Sequence, residues 1–223
     1  IYPAPGNRVF CKIMTVGPGP HPKDRAKIAF FDVPGMTRHD YHKGDISEPD
    51  QFTFSPDGRY FIESYHDALK GLPPSRFPNH IRMWKYPEME LLWKVKSPAP
   101  TSYAAYTLNF SPDSNTIVIV FGNSESNTAI IKLFRSRDGS YLEDTATTEV
   151  TIWRSFSLNN KHILMVSSTR EIFILDVTNG EKLDSYQVPE DRYSWEASLS
   201  PDRKTLAFGK KSKVLLFDID TTQ

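Results

Sequence analysis

The residues with the most chemical promise are His39, Asp40, Tyr41 and His42, because two imidazoles and a carboxylate are suitable metal ligands. On a strand, however, positions 39 and 42 point to opposite faces, so a solvated edge strand is expected there and no metal site. Asp57, Asp113 and Asp202 look like a carboxylate set for acid–base work, yet each closes the same Ser-Pro-Asp pattern. That repetition predicts side-chain to backbone hydrogen bonds that shape turns. Cys11 lies in an apolar run, where an inert thiol is the ordinary state. There is no Gly-x-Ser-x-Gly elbow, no Gly-rich phosphate cradle and no His-Glu-x-x-His. No catalytic residue, metal or cofactor is expected.

Binding residues are easier to nominate. Residues 65–80 read YHDALKGLPPSRFPNH. Pro73, Pro74 and Pro78 fix φ and stiffen a long loop that presents His66, Lys70, Arg76, Phe77 and His80. The corresponding turn late in the chain, 209–212, is short, so this segment is an insertion. A passive surface loop is the alternative, since each doubling of loop length costs only ~0.6 kcal/mol. Tyr103, Tyr106, Trp153 and Trp195 stand at comparable places in their repeats, where a ring is either a partner anchor or packing between neighbouring units. Lys210, Lys211 and Lys213 form the densest basic cluster with Arg203 and Lys204. The two groups fall in turns at opposite ends of one unit and make no continuous patch.

The 223 residues balance Lys+Arg 27 against Asp+Glu 27, with 39% hydrophobic and 13% aromatic side chains and a single Cys. Without net charge there is no overall field to draw in nucleic acid or an anionic membrane, and neither is an expected partner. Apolar runs such as 117–121 fall far short of the ~20 residues that cross a bilayer. A lone Cys cannot build a disulfide framework, which suits a reducing compartment, and a cytoplasmic location is expected. The chain opens at Ile1 without an initiator Met or a signal-peptide pattern, so it is expected to be a processed or excised piece.

Positioning these residues is the task of an internal repeat. An apolar run ends in Phe54-Ser55-Pro56-Asp57-Gly58, again in Phe110-Ser111-Pro112-Asp113-Ser114, then in Phe156-Ser157-Leu158-Asn159-Asn160 and Leu199-Ser200-Pro201-Asp202-Arg203. The successive spacings, from Phe54 to Phe110, from Phe110 to Phe156 and from Phe156 to Leu199, are 56, 46 and 43 residues. They converge on the ~40–45 residues of a four-stranded propeller blade. Within the copy that starts near residue 151, strands are predicted over 154–157, 163–167, 171–176 and 182–187, with Asn179-Gly180 as a hairpin signal. Toward the N-terminus, strands are predicted over 8–16, 26–33 and 37–42, with Ile1 and Tyr2 as the stub of another. Almost no helix is expected.

The FSPDG, FSPDS, FSLNN and LSPDR turns, paired with HIRMWKY, AIIKLFRS, EIFILDV and KVLLFDI, resemble the divergent WD-repeat and WD-like β-propeller superfamily from about Arg8 to Asp220. The pattern departs from it in having no Gly-His pair and in reading Phe31-Asp32, Trp84-Lys85, Phe134-Arg135, Leu175-Asp176 and Phe217-Asp218 where Trp-Asp is usual. The resemblance implies an all-β propeller of four-stranded antiparallel blades: a partial first blade over 1–50, blades over 51–104, 105–150 and 151–192, and a partial fifth over 193–223. About four to five blades are expected, as an incomplete arc of a larger ring that flanking blades or a partner chain would complete.

Propellers host many functions, so fold alone does not choose among them. The expected function is a non-enzymatic scaffold that binds other proteins on the face built from the strand-two to strand-three loops and the blade entries. That face would carry His66, Lys70, Arg76, Phe77, His80, Tyr103, Trp153 and Trp195. A regulatory or substrate-gating propeller attached to a peptidase or other hydrolase is the alternative. A small-ligand or glycan-binding propeller is a third.

Overall fold

Runs rich in β-branched and aromatic residues recur between turn sequences, and such runs pair as short antiparallel strands. The computed structural model describes residues 2–4, 8–14, 26–32, 38–40, 49–66, 79–100, 102–123, 125–188, 197–210 and 213–219. These residues form five antiparallel meanders and no helix.

Blade one comprises β1 (Tyr2–Ala4), β2 (Arg8–Met14), β3 (Ala26–Asp32) and β4 (Arg38–Asp40). Blade two follows with β5 (Pro49–Phe54), β6 (Tyr60–His66), β7 (Asn79–Lys85) and β8 (Glu90–Lys96). Blade three has β9 (Ala104–Phe110), β10 (Thr116–Asn123), β11 (Thr128–Arg135) and β12 (Tyr141–Thr148). Blade four has β13 (Ile152–Ser157), β14 (His162–Ser167), β15 (Glu171–Asp176) and β16 (Lys182–Gln187). Blade five shows three strands, β17 (Ala197–Leu199), β18 (Thr205–Lys210) and β19 (Lys213–Asp218). The expected all-β, propeller-like blade architecture is therefore present. The described residues do not close a ring.

Alternation along each strand sends successive side chains to opposite faces, and here both faces are used. Ile62, Ile81 and Met83 of blade two meet Leu108, Ile117, Ile119 and Phe121 of blade three. From its other face, blade three sends Val118, Val120 and Ile131 against Ile163, Met165 and Phe173 of blade four. Blade four in turn packs Leu164, Val166 and Ile172 on Leu206 and Phe208 of blade five. Fully burying each such side chain contributes roughly 1.5–3 kcal/mol, so these dry seams fix the blades face to face. The first strands lie innermost, with β9 between β5 and β13.

Blade two carries a buried ion pair that the sequence did not reveal. Glu63 of β6 and Arg82 of β7 are direct cross-strand partners. Arg82 Nη2 lies 2.8 Å from Glu63 Oε1, which also accepts a 2.8 Å hydrogen bond from Trp84 Nε1. The guanidinium stacks 3.8 Å from the Tyr65 ring centroid. Burial pushes the Glu63 carboxyl up, against the opposing pull of Arg82 and Trp84.

Candidate functional site

Each blade presents two kinds of end. At one end lie the strand-two to strand-three loop and the entry to strand one; at the other lie the Ser-Pro-Asp turns. Pairing of Gly122 with Ala104 and of Ser167 with Ile152 puts the loops and entries of blades three and four together. The same holds in blade two, where Tyr65 pairs with both Pro49 and His80.

The nominated residues that fall among the described ones lie at this loop end. His66 is the last residue of β6 and pairs with Asn79. His80, one step further into the ladder, stacks on Tyr65 with ring centroids 5.3 Å apart. Tyr103 precedes β9, packs on the seam between blades two and three, and hydrogen-bonds Thr128 Oγ1 at 2.7 Å. Trp153 sits half-buried near the start of β13. Lys70, Arg76, Phe77 and Trp195 lie outside the described residues, as do Tyr41 and His42 of the weighed metal set.

The loop end is stitched from blade to blade by side chains that periodicity could not single out. Asn127, between β10 and β11, has φ 53°. Its Oδ1 accepts from the Thr151 hydroxyl at 2.8 Å, the Thr151 N–H at 3.3 Å and the Ser168 hydroxyl at 3.4 Å. One amide oxygen thus ties blade three to the entry and the next loop of blade four. Deeper along the inner strands, Asn109 Nδ2 donates to Ser155 Oγ at 2.6 Å, and Ser155 also hydrogen-bonds Thr107.

At the opposite end the three Ser-Pro-Asp turns are near copies. The Ser55 hydroxyl donates to Asp57 Oδ1 at 2.6 Å and accepts from the Tyr60 N–H at 2.9 Å, while the Arg59 N–H reaches the same carboxylate oxygen at 3.0 Å. Ser111, Asp113, Asn115 and Thr116 repeat this at 2.5, 2.9 and 3.0 Å. Ser200, Asp202, Lys204 and Thr205 do so at 2.5, 2.9 and 3.1 Å. Bonds from Ser111 and Asn115 hold the Asp113 carboxyl below the usual carboxylate range, as those from Ser200 and Lys204 do for Asp202. For Asp57, burial pushes upward, but the bonds from Ser55 and Arg59 together outweigh it. The expected turn-shaping role of these carboxylates is what the geometry shows.

The residue after each Asp is left-handed: Gly58 at φ 70°, Ser114 at 62° and Arg203 at 62°. Blade four departs from the pattern. Its first hairpin pairs Ser157 with Ile163, a turn one residue shorter than Phe54 with Phe61, Phe110 with Ile117 or Leu199 with Leu206. Asn159 Oδ1 there caps the N–H groups of Lys161 and His162, both at 2.8 Å. Ser157 is left without an Asp two residues on, and its buried hydroxyl has no hydrogen-bond partner among the described residues.

Where these turns converge, the ends of the four inner strands enclose an open funnel of about 330 Å³. Phe54, Phe110, Phe156 and Leu199, the residues at one repeat position, supply an apolar collar. Asn109, Ser157 and Arg203 add polar groups. Sequence reasoning missed this funnel because it placed function on the opposite end of the blades.

Among the described residues no helix is long and apolar enough to cross a membrane, and no cluster of three or more His, Cys, Asp or Glu side chains could hold a metal ion. The chain matches no protein-family model and no curated protein.

Proposed function

We propose that this chain is a non-enzymatic, WD-like propeller segment that serves as a rigid platform for protein partners, bound on its loop end. The observation that carries this reading is the Asn127 junction with Thr151 and Ser168, which ties two loops and a blade entry of adjacent blades. Loops fixed in this way bind with little further ordering, and rigid display of variable loops is how a repeat scaffold gains affinity and specificity. The turn carboxylates support a non-catalytic reading, since their oxygens are engaged in their own turns. The single Cys11 suits a reducing, cytoplasmic setting.

The test is site-specific photocrosslinking. A benzophenone amino acid placed at Trp153 or at His80 is expected to yield discrete protein adducts in cells, while the same group at Asp57 or Asp202 on the turn end yields none of those adducts. Identical adducts from both ends, or none from the loop end, would overturn the proposal.

A further inference from the structure

We infer that the outer face of blade five, marked by Val214 and Leu216, binds a second copy of this chain through the leading face of that copy's first blade. This stands apart from the scaffold reading, because it uses neither the loop end nor a different protein.

The argument begins with two side chains in the wrong surroundings. Val214 is 65% exposed and Leu216 67%, the highest values among the large apolar residues described. Both lie on β19, three and one residues before Phe217, which pairs with Leu206 of β18. The same two places in the other blades are Ile81 and Met83 before Trp84, Ile131 and Leu133 before Phe134, and Ile172 and Ile174 before Leu175. Trp84, Phe134 and Leu175 pair with Phe61, Ile117 and Ile163 at the matching point of their second strands. There the two places are used to join blades. Ile81 and Met83 share a buried cluster with Ile117 and Ile119 of blade three, Ile131 with Ile163 and Met165 of blade four, and Ile172 with Leu206 and Phe208 of blade five. Leu133 and Ile174 pack against the same clusters. Blade five thus presents one half of a seam, uncovered in its own copy.

The three seams also show what covers such a half: the second strand of a following blade. The second strands β10, β14 and β18 are taken up in their own seams. β6 carries Glu63 at the middle position, paired with Arg82, which suits an apolar partner poorly. That leaves β2. Its ladder pairs Val9 with Phe31 and Cys11 with Ala29, as β10 pairs Ile117 with Phe134 and Ile119 with Lys132. Val9, Cys11 and Ile13 therefore hold the register positions of Ile117, Ile119 and Phe121, and all three are apolar. Because Val214 and Leu216 stay exposed, blade one of the same copy does not cover them, and the complementary half comes from another copy. A two-fold contact of two blade-five faces would set Val214 and Leu216 against themselves, a packing that no seam of this chain uses. The contact joins two different patches, so it repeats head to tail from copy to copy and withdraws an apolar pair from water.

The experiment measures the mass of the full 223-residue chain by light scattering across a concentration series. Mass rising above the monomer with concentration is expected. Val214→Lys combined with Leu216→Glu should hold the chain at monomer without lowering its urea midpoint, since both positions are already exposed. Cys11, the single cysteine, then reads the geometry. A chain with Leu216→Cys and Cys11→Ser is mixed with the unchanged chain and treated with a short bis-maleimide. Linked pairs are expected in the mixture and in neither chain alone. Linkage of the Leu216→Cys, Cys11→Ser chain to itself would assign a two-fold contact of like faces and overturn the proposal. So would Leu216→Cys with Cys11 retained linking only within one copy, which is closure of the chain on itself. A monomer at every concentration, or oligomers that survive Val214→Lys with Leu216→Glu, would overturn it as well.

Discussion

Replacing Ser114 with glycine should make the protein more stable, although glycine normally weakens structure. Ser114 sits at φ 62° in the turn between β9 and β10. A left-handed L-residue costs roughly 1–2 kcal/mol, which glycine relieves. Its side chain is buried, and its hydroxyl has no hydrogen-bond partner among the described residues, a defect of about 1 kcal/mol at the lower end of the usual range. Against these gains stands about 0.5–1 kcal/mol for the greater freedom of glycine in the unfolded chain. The backbone links survive the change: the Ser114 N–H still reaches the Ser111 carbonyl at 2.9 Å, and its carbonyl still accepts from Ser136 Oγ at 2.6 Å. The net is a stabilisation of about 1–2 kcal/mol, or some 2–4 °C in the melting midpoint per kcal/mol for a chain of this length. Urea unfolding followed by tryptophan fluorescence measures it. Ser114→Ala removes the hydroxyl but keeps the strain, so it should fall about 0.5–1 kcal/mol below the glycine variant. An alanine variant as stable as the glycine variant would refute the backbone argument. Loss of stability in both would show that the hydroxyl has a partner.

Arg82→Met leaves Glu63 charged and buried without its counter-ion, and should cost about 3–5 kcal/mol in urea unfolding. Adding Glu63→Gln should recover part of that loss, whereas independent effects would simply sum. Gly139→Ala puts a Cβ 2.7 Å from the Trp93 ring in a backbone held at φ 68°, so a loss of roughly 2–3 kcal/mol and a shift in tryptophan emission are expected. For acid unfolding, Asp113 and Asp202 have folded values below their unfolded ones, near 3.9. Their contribution is complete above about pH 4 and is lost as pH falls through the folded values. Asp138, held at about 2 chiefly by Ser140, extends that limb to about pH 2. Glu63 acts with the opposite sign: its raised folded value gives a contribution present below about pH 4.3 and lost as pH rises through it. Urea midpoints across pH should therefore show a shallower acid limb in Asp113→Asn.

Strand positions were legible where alternation and turn chemistry agreed. The segments predicted over 171–176 and 182–187 coincide with β15 and β16, because Asn179 and Gly180 punctuate them and Gly180 takes φ 74°. The segments predicted over 8–16 and 37–42 contain β2 and β4, and residues 15, 16, 37, 41 and 42 lie outside the described residues. Tyr2 of the expected stub opens the paired strand β1, whose three residues are too few for a periodic signal, while Ile1 lies outside the described residues. The Glu63–Arg82 pair was illegible because the inserted loop separates its partners and only the β6–β7 register brings them opposite. The Asn127 junction was hidden for a related reason. Its partners belong to the next blade, and a polar residue in a loop carries no period to announce it.

The same motif that made the repeat visible also determines where it is broken. A Ser-Pro-Asp turn uses its serine hydroxyl and carboxylate internally, so it ends an inner strand after an apolar residue and leaves its serine no spare donor. The four turns are not identical. In blade four Asn159 stands where the other turns carry Asp, so Ser157 has no carboxylate two residues on, and the left-handed position that glycine fills in blade two is a serine in blade three and an arginine in blade five. Each violates a local rule of its own turn, one by leaving a buried hydroxyl without a hydrogen-bond partner among the described residues and one by holding a side-chain-bearing residue left-handed, as Ser114 of blade three also is.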